Sequence, residues 1–145
     1  MQSSPLPTGL PQAIASVCRA HPVTVAYLFG SHARGTADAE SDLDIAVLAR
    51  SSLSKEERHT LKLHLGRALA EVVSASAGEI DIVVLQDVPV LLRYNVVRTG
   101  LPVFGATPSA RRAFEFDTER RYEDERPLLD READLTLDRI LSRAA

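Results

Sequence analysis

Apolar residues in this chain follow two rhythms. Val23 to Phe29 is a dense run of β-branched and aromatic residues and predicts a strand. Leu43 to Leu48 predicts a second strand and Glu79 to Leu85 a third. Elsewhere the spacing widens to that of helices. Ile14 and Val17, with Cys18 beside them, follow helical spacing from a start near Pro11, and His21-Pro22 stops this first helix. Ser54-Lys55-Glu56-Glu57 has the form of a capping box, a Ser N-cap with Glu three positions on. Behind it Leu61, Leu65, Ala68, Leu69, Val72 and Val73 recur on one face, until Ser74 to Gly78 ends the helix. A further helix is expected from Pro89 to Thr99, stopped by Gly100, and Pro102 to Phe104 reads as a short edge strand. The order of elements predicts an α+β fold, a small mixed β-sheet flanked by helices.

The last forty residues change character. From Arg111 to Arg126 acids and arginines are dense around Phe114, Phe116 and Tyr122, the pattern of a solvated helix laced with ion pairs. Pro127 is expected to break it. Beyond lies a stripe of Leu129, Ala133, Leu137, Ile140 and Leu141, which packs on its own domain or docks a partner. The domain reading is a flexible lead over 1–10, a core domain over 11–106 and a helical extension over 107–145.

The 145 residues fit one core, and 45% of them are hydrophobic, ordinary for a globular protein. The formal net charge of −3, with no run of Lys or Arg, argues against duplex nucleic acid as a partner. Cys18 is the only cysteine, so an internal disulfide is excluded; it is expected as a small core residue, and its solitude fits a reducing cytoplasm. No membrane span or signal peptide is visible.

The chemistry concentrates between Gly30 and Asp44. A Gly-Ser turn follows the first strand, and Asp42-Leu43-Asp44 opens the second. Side chains on a strand alternate, so Asp42 and Asp44 aim two carboxylates one way and Leu43 the other. That pair suits Mg²⁺, a hard cation usually held by one or two carboxylates plus substrate phosphates. Two metals need a further acid, and Asp81, set between Ile80 and Ile82 where an acid is costly without a partner, is the candidate ligand or base. Gly30 lets backbone approach phosphate oxygens, Ser31 offers its hydroxyl and N–H, and Arg34 has the planar fork that meets phosphate.

These words in this order, Ala26 to Gly35, Ser41 to Val47 and Glu79 to Leu85, resemble the polymerase-β-type nucleotidyltransferase superfamily, in particular its minimal, MNT-type branch. The resemblance covers roughly residues 10 to 105. It implies that Asp42, Asp44 and Asp81 hold two Mg²⁺ ions, that Gly30 and Ser31 form the nucleotide-phosphate turn, and that Arg34 sits at a position often basic. It further implies ATP as substrate and, as partner, a HEPN-domain ribonuclease toxin whose tyrosine hydroxyl receives AMP, the chain being the antitoxin. Two other readings stand beside it: an antitoxin that works only by covering the toxin, and a nucleotidyltransferase for a small molecule, against which a forty-residue tail leaves little room for an acceptor domain. A calcium loop over Asp38, Glu40, Asp42 and Asp44 is disfavoured, because Leu43 stands where its glycine belongs and Ala49 where its glutamate belongs. His32 reads as a solvated loop residue, His59 and His64 as facing solvent or a partner, and Tyr27 as a core residue.

Overall fold

The computed structural model describes residues 9–30, 42–72 and 80–126. Within them the chain runs α1 (Leu10–Arg19), β1 (Val23–Phe29), β2 (Leu43–Ala49), α2 (Lys55–Val72), β3 (Ile80–Val84), a 3-10 turn (Leu85–Asp87), α3 (Val90–Thr99), β4 (Leu101–Gly105) and a last helix, α4, over 110–126. The four strands form one sheet in the order β3-β2-β1-β4. β1 is antiparallel to both β2 and β4, whereas β2 and β3 are parallel, so the sheet is mixed, as the element order predicts.

Alternation along the strands divides the core in two. Leu43, Ile45 and Val47 of β2, with Ala26 and Leu28 of β1 and Ile82 and Val84 of β3, pack against Ile14 and Cys18 of α1 and Leu61, Leu65 and Leu69 of α2. The opposite face carries Val25, Tyr27 and Ala46, which pack with Val96 of α3 and Phe114 of α4. Cys18 is fully buried, as its solitude in an apolar stripe predicts, and burial pushes its thiol up to about 12.

The capping box forms as written. The Glu57 backbone N–H donates to Ser54 Oγ at 3.1 Å, and the Ser54 N–H donates to Glu57 Oε1 at 2.8 Å. Ser54→Ala removes the first of these bonds, and a loss of about 1 kcal/mol in urea unfolding is expected. The α2 stripe holds at Leu61, Leu65 and Leu69 but not at Val72, which is 52% exposed. The 18-residue helix spans about 27 Å and a seven-residue strand about 23 Å, so the last turn outruns the sheet.

The expected third strand is shorter than its apolar run: Leu85 turns into the 3-10 segment and is buried there. The arginine- and acid-rich segment is a helix with the ion pairs Arg111–Glu115, Arg120–Asp117 and Arg121–Asp117. It is not solvated all round. Phe114 and Thr118, one turn apart, are buried, while Phe116 is 69% exposed. Residues 1–8 of the expected lead, the connection 31–41, Val73 and the expected helix stop over Ser74 to Gly78, and the stripe from Leu129 to Leu141 lie outside the described residues.

Candidate active site

Asp44 is the second residue of β2. It stands opposite Phe29, the last residue of β1, and in register with Asp81 of the parallel strand β3. Neighbouring strands lie about 4.8 Å apart, so the two acids are adjacent across the sheet. Both take the face of Ala46 and Val83, because the intervening Ile45 and Ile82 belong to the other core layer. Asp42 lies one residue ahead of the strand, two positions before Asp44. Asp42 and Asp81 are exposed and Asp44 is half-buried. The Asp44 and Asp81 carboxylates thus share one face at one end of the sheet, on strands whose reverse face is anchored by Leu43, Ile45 and Ile82.

Gly30 closes this end. It follows Phe29 directly and has φ +75°, in the left-handed region. A Cβ on Gly30 would lie inside van der Waals contact of Asp44 Oδ2 and 3.2 Å from its Cγ. Glycine is therefore required twice, for the turn and because the Asp44 carboxyl group rests against its Cα. The sequence reading assigns this glycine to a close phosphate approach; the structure adds a contact with the first acid of the ladder. Ser31, His32 and Arg34 lie outside the described residues.

Among the described residues no three His, Cys, Asp or Glu side chains gather into a group able to hold a metal ion unaided. A cation that takes one or two carboxylates and completes its shell with substrate phosphates does not need such a cage. The oxygen-only donors Asp42, Asp44 and Asp81, with the Gly30 cradle beside Asp44, fit a small hard cation of that kind.

Tyr27 lies two residues before Phe29 on the same face and is fully buried. Its hydroxyl donates to Glu115 Oε2 of α4 at 2.7 Å, and its ring lies 6.2 Å from that of Phe114. Arg111 holds the same carboxylate at 3.0 Å. Burial, and then the Glu115 carboxylate, keep the phenol far above its ordinary pKa. The strand that leads into Gly30 is thereby tied to α4. His59 and His64 are exposed on α2, as expected.

Sequence reasoning passed over a second charged group. Arg58 makes three bonds to the Asp87 carboxylate, the shortest 2.8 Å, and a fourth to Leu53 O. This guanidinium, with help from Lys55 and Lys62, holds Asp87 below the usual carboxylate range. The signal was present: Lys55, Arg58, His59 and Lys62 stand at i, i+3, i+4 and i+7.

A mixed sheet with paired acids beside a left-handed glycine at one end is the framework of a nucleotidyltransferase domain. Residues 12–108 match the family described as Polymerase beta, Nucleotidyltransferase, and the chain belongs to that family. It is similar to the protein adenylyltransferase MntA of Shewanella oneidensis, 37% identical over 79 residues that make up 54% of this chain and 52% of that protein. The match thus spans about half the length of that curated relative. Among solved structures, one similar chain comes from a toxin–antitoxin crystal structure with AMP-PNP, 28% identical with a TM-score of 0.63, covering 90% of this chain and 98% of that one. Another comes from the complex of a tri-AMPylated Shewanella oneidensis HEPN toxin with its MNT antitoxin, 26% identical with a TM-score of 0.58, covering 90% and 96%.

Proposed function

We propose that this chain transfers AMP from ATP to a tyrosine hydroxyl of a cognate HEPN-domain toxin and so acts as its antitoxin. The observation that carries the reading is the Asp44–Asp81 register pair with Gly30 seated under the Asp44 carboxyl group. Family membership supports nucleotidyl transfer, and the similarity to an adenylyltransferase and to an antitoxin bound to an AMPylated toxin supports the acceptor.

In this reading Asp42 and Asp44 hold Mg²⁺, with Asp81 as the further donor for a second ion. When bound, the metal neutralises phosphate charge and orients the triphosphate. Gly30 and Ser31 receive the phosphates at the turn and Arg34 pairs with one of them. The tyrosine oxygen attacks the α-phosphorus in line, the bond to the bridging oxygen breaks, and pyrophosphate leaves. Tyrosine has an ordinary pKa near 10, so its proton needs an acceptor at neutral pH. This reading assigns that role to Asp81, which is exposed on the edge strand β3. In this reading the catalytic unit is the segment 11–106 and 107–145 is a helical extension, and the buried thiol of Cys18 suits action in the cytoplasm.

A second reading is masking without catalysis. It is favoured by Phe116, a large aromatic left 69% exposed on α4. One experiment separates the two. The purified chain is mixed with a HEPN toxin, Mg²⁺ and ATP labelled at the α-phosphate. Label on the toxin, lost on chelation of the metal and reduced at least ~100-fold in Asp42→Asn/Asp44→Asn, is the expected result. If that double variant still neutralises the toxin fully in cells, masking is the function; if it still transfers label at the parental rate, the site is wrongly assigned.

A further inference from the structure

An open cleft of about 300 Å³ runs between the first half of α2 and strand β3. Lys55, Arg58, His59 and Lys62 line one wall, and residues 81–84 of β3 with Asp87 and Val88 line the other. Asp81 alone connects it to the acid cluster. Its charge is unbalanced. Arg58 and Asp87 satisfy each other at 2.8 Å, which leaves Lys55 and Lys62, both exposed, with Asp81, so the lining carries a surplus of one positive charge. The surplus sits on a chain whose formal net charge is −3.

The other wall is a sheet edge. β3 is the terminal strand in the order β3-β2-β1-β4, and among the described residues no strand pairs with its outer side. Exposed edges are commonly blunted by Lys, Pro or a bulge on the strand itself. β3 reads Ile-Asp-Ile-Val-Val, five residues with Asp81 as their one charge and neither lysine nor proline. Such an edge offers a row of backbone donors and acceptors to an extended chain. The cleft wall holds no Phe, Tyr or Trp, so it lacks the large stacking platforms that single-stranded nucleic acid uses.

We propose that this cleft docks an extended, acidic segment of the acceptor protein, added as a strand to the outer edge of β3 with its carboxylates on Lys55, His59 and Lys62. A chain laid along β3 passes Asp81, so the same contact delivers a hydroxyl borne on that segment to the acid cluster. The identity of the partner rests on the reading of a protein acceptor given above; the docking itself is measured without nucleotide.

The test uses the full chain and a fluorescein-labelled twelve-residue peptide that alternates Glu and Thr around a central Tyr. Its affinity is compared with that of the same peptide N-methylated at alternate residues and of a Lys/Thr counterpart, with tripolyphosphate and polyuridylate as competitors. Salt-dependent binding of the acidic peptide is expected, weakened about 10-fold or more by K55E/K62E and by N-methylation. K55S/K62S, a milder pair at the same exposed positions, is expected to weaken it less, and thermal unfolding checks that both variants fold. Peptide binding that survives Asp44→Asn while AMP transfer is lost separates docking from chemistry. No binding of the acidic peptide, equal binding of the basic one, indifference to N-methylation, or displacement by polyuridylate at lower concentration than by unlabelled peptide would each overturn the proposal.

Discussion

Gly30→Ala is expected to lower AMP transfer about 100-fold while the chain stays folded. Two costs arise at this position. A left-handed φ of +75° costs an alanine about 1–2 kcal/mol. The added methyl would also overlap Asp44 Oδ2, so the carboxyl group must swing off the Gly30 cradle. Displacing a positioning group by about 1 Å can cost 10²-fold in rate. Gly9→Ala is the control. It has φ +87°, yet among the described residues nothing lies within 4 Å of its Cβ. It is expected to lose a similar amount of stability and no activity. Thermal melts and rates of label transfer on both variants make the comparison. Equal activity losses would mean that backbone strain, rather than the Asp44 contact, is what Gly30 relieves.

This pair also marks what could be read from the sequence. Strand alternation alone placed Asp44 on one face and Leu43 on the other, and the structure buries Leu43 and Ile45 on the face opposite Asp44. The capping box at Ser54 and Glu57 was legible because both partners lie within four residues. The Tyr27–Glu115 bond was not, since it joins positions 88 residues apart and nothing local to either names the other. The pairing of Asp44 with Asp81 was legible only through the family resemblance. Their convergence follows from the parallel register of β2 and β3, which the connection between them sets and the apolar pattern leaves open. Gly30 shows a subtler limit. The sequence flags a glycine in a turn, but only the strand partner across from Phe29 reveals that a carboxyl group occupies the space a Cβ would fill. The basic row on α2 was readable by helical spacing; its meaning depends on the Asp87 and β3 wall it faces.

Raising the pH from 8 to 11.5 is expected to remove about 5 kcal/mol of stability through two buried acids. Cys18 and Tyr27 are both fully buried, and both have folded pKa values above their unfolded ones, the thiol at about 12 against 9.0 and the phenol higher than its own 10.0. For such groups the neutral form is favoured in the folded state. Their contribution is complete below the unfolded pKa and is lost as pH rises above it, because the unfolded chain gives up the proton first. Each pH unit in that window costs about 1.36 kcal/mol per group. At pH 11.5 that gives about 3 kcal/mol for Cys18 and about 2 kcal/mol for Tyr27, a large part of the ~5–15 kcal/mol available to a domain. Urea unfolding at the two pH values tests the assignment. The parent is expected to lose about 5 kcal/mol, Cys18→Ala about 2 and Tyr27→Phe about 3, since each variant lacks one titration. Lysine deprotonation affects all three proteins alike, so the differences among them isolate the two groups. Tyr27→Phe also deprives Glu115 of one donor, at about 1 kcal/mol, but Arg111 still holds that carboxylate at 3.0 Å and the loss is common to both pH values. If the variants fall as steeply as the parent, the two side chains are not the buried acids that limit alkaline stability, and the tie from the Gly30 strand to α4 is weaker than its 2.7 Å bond implies.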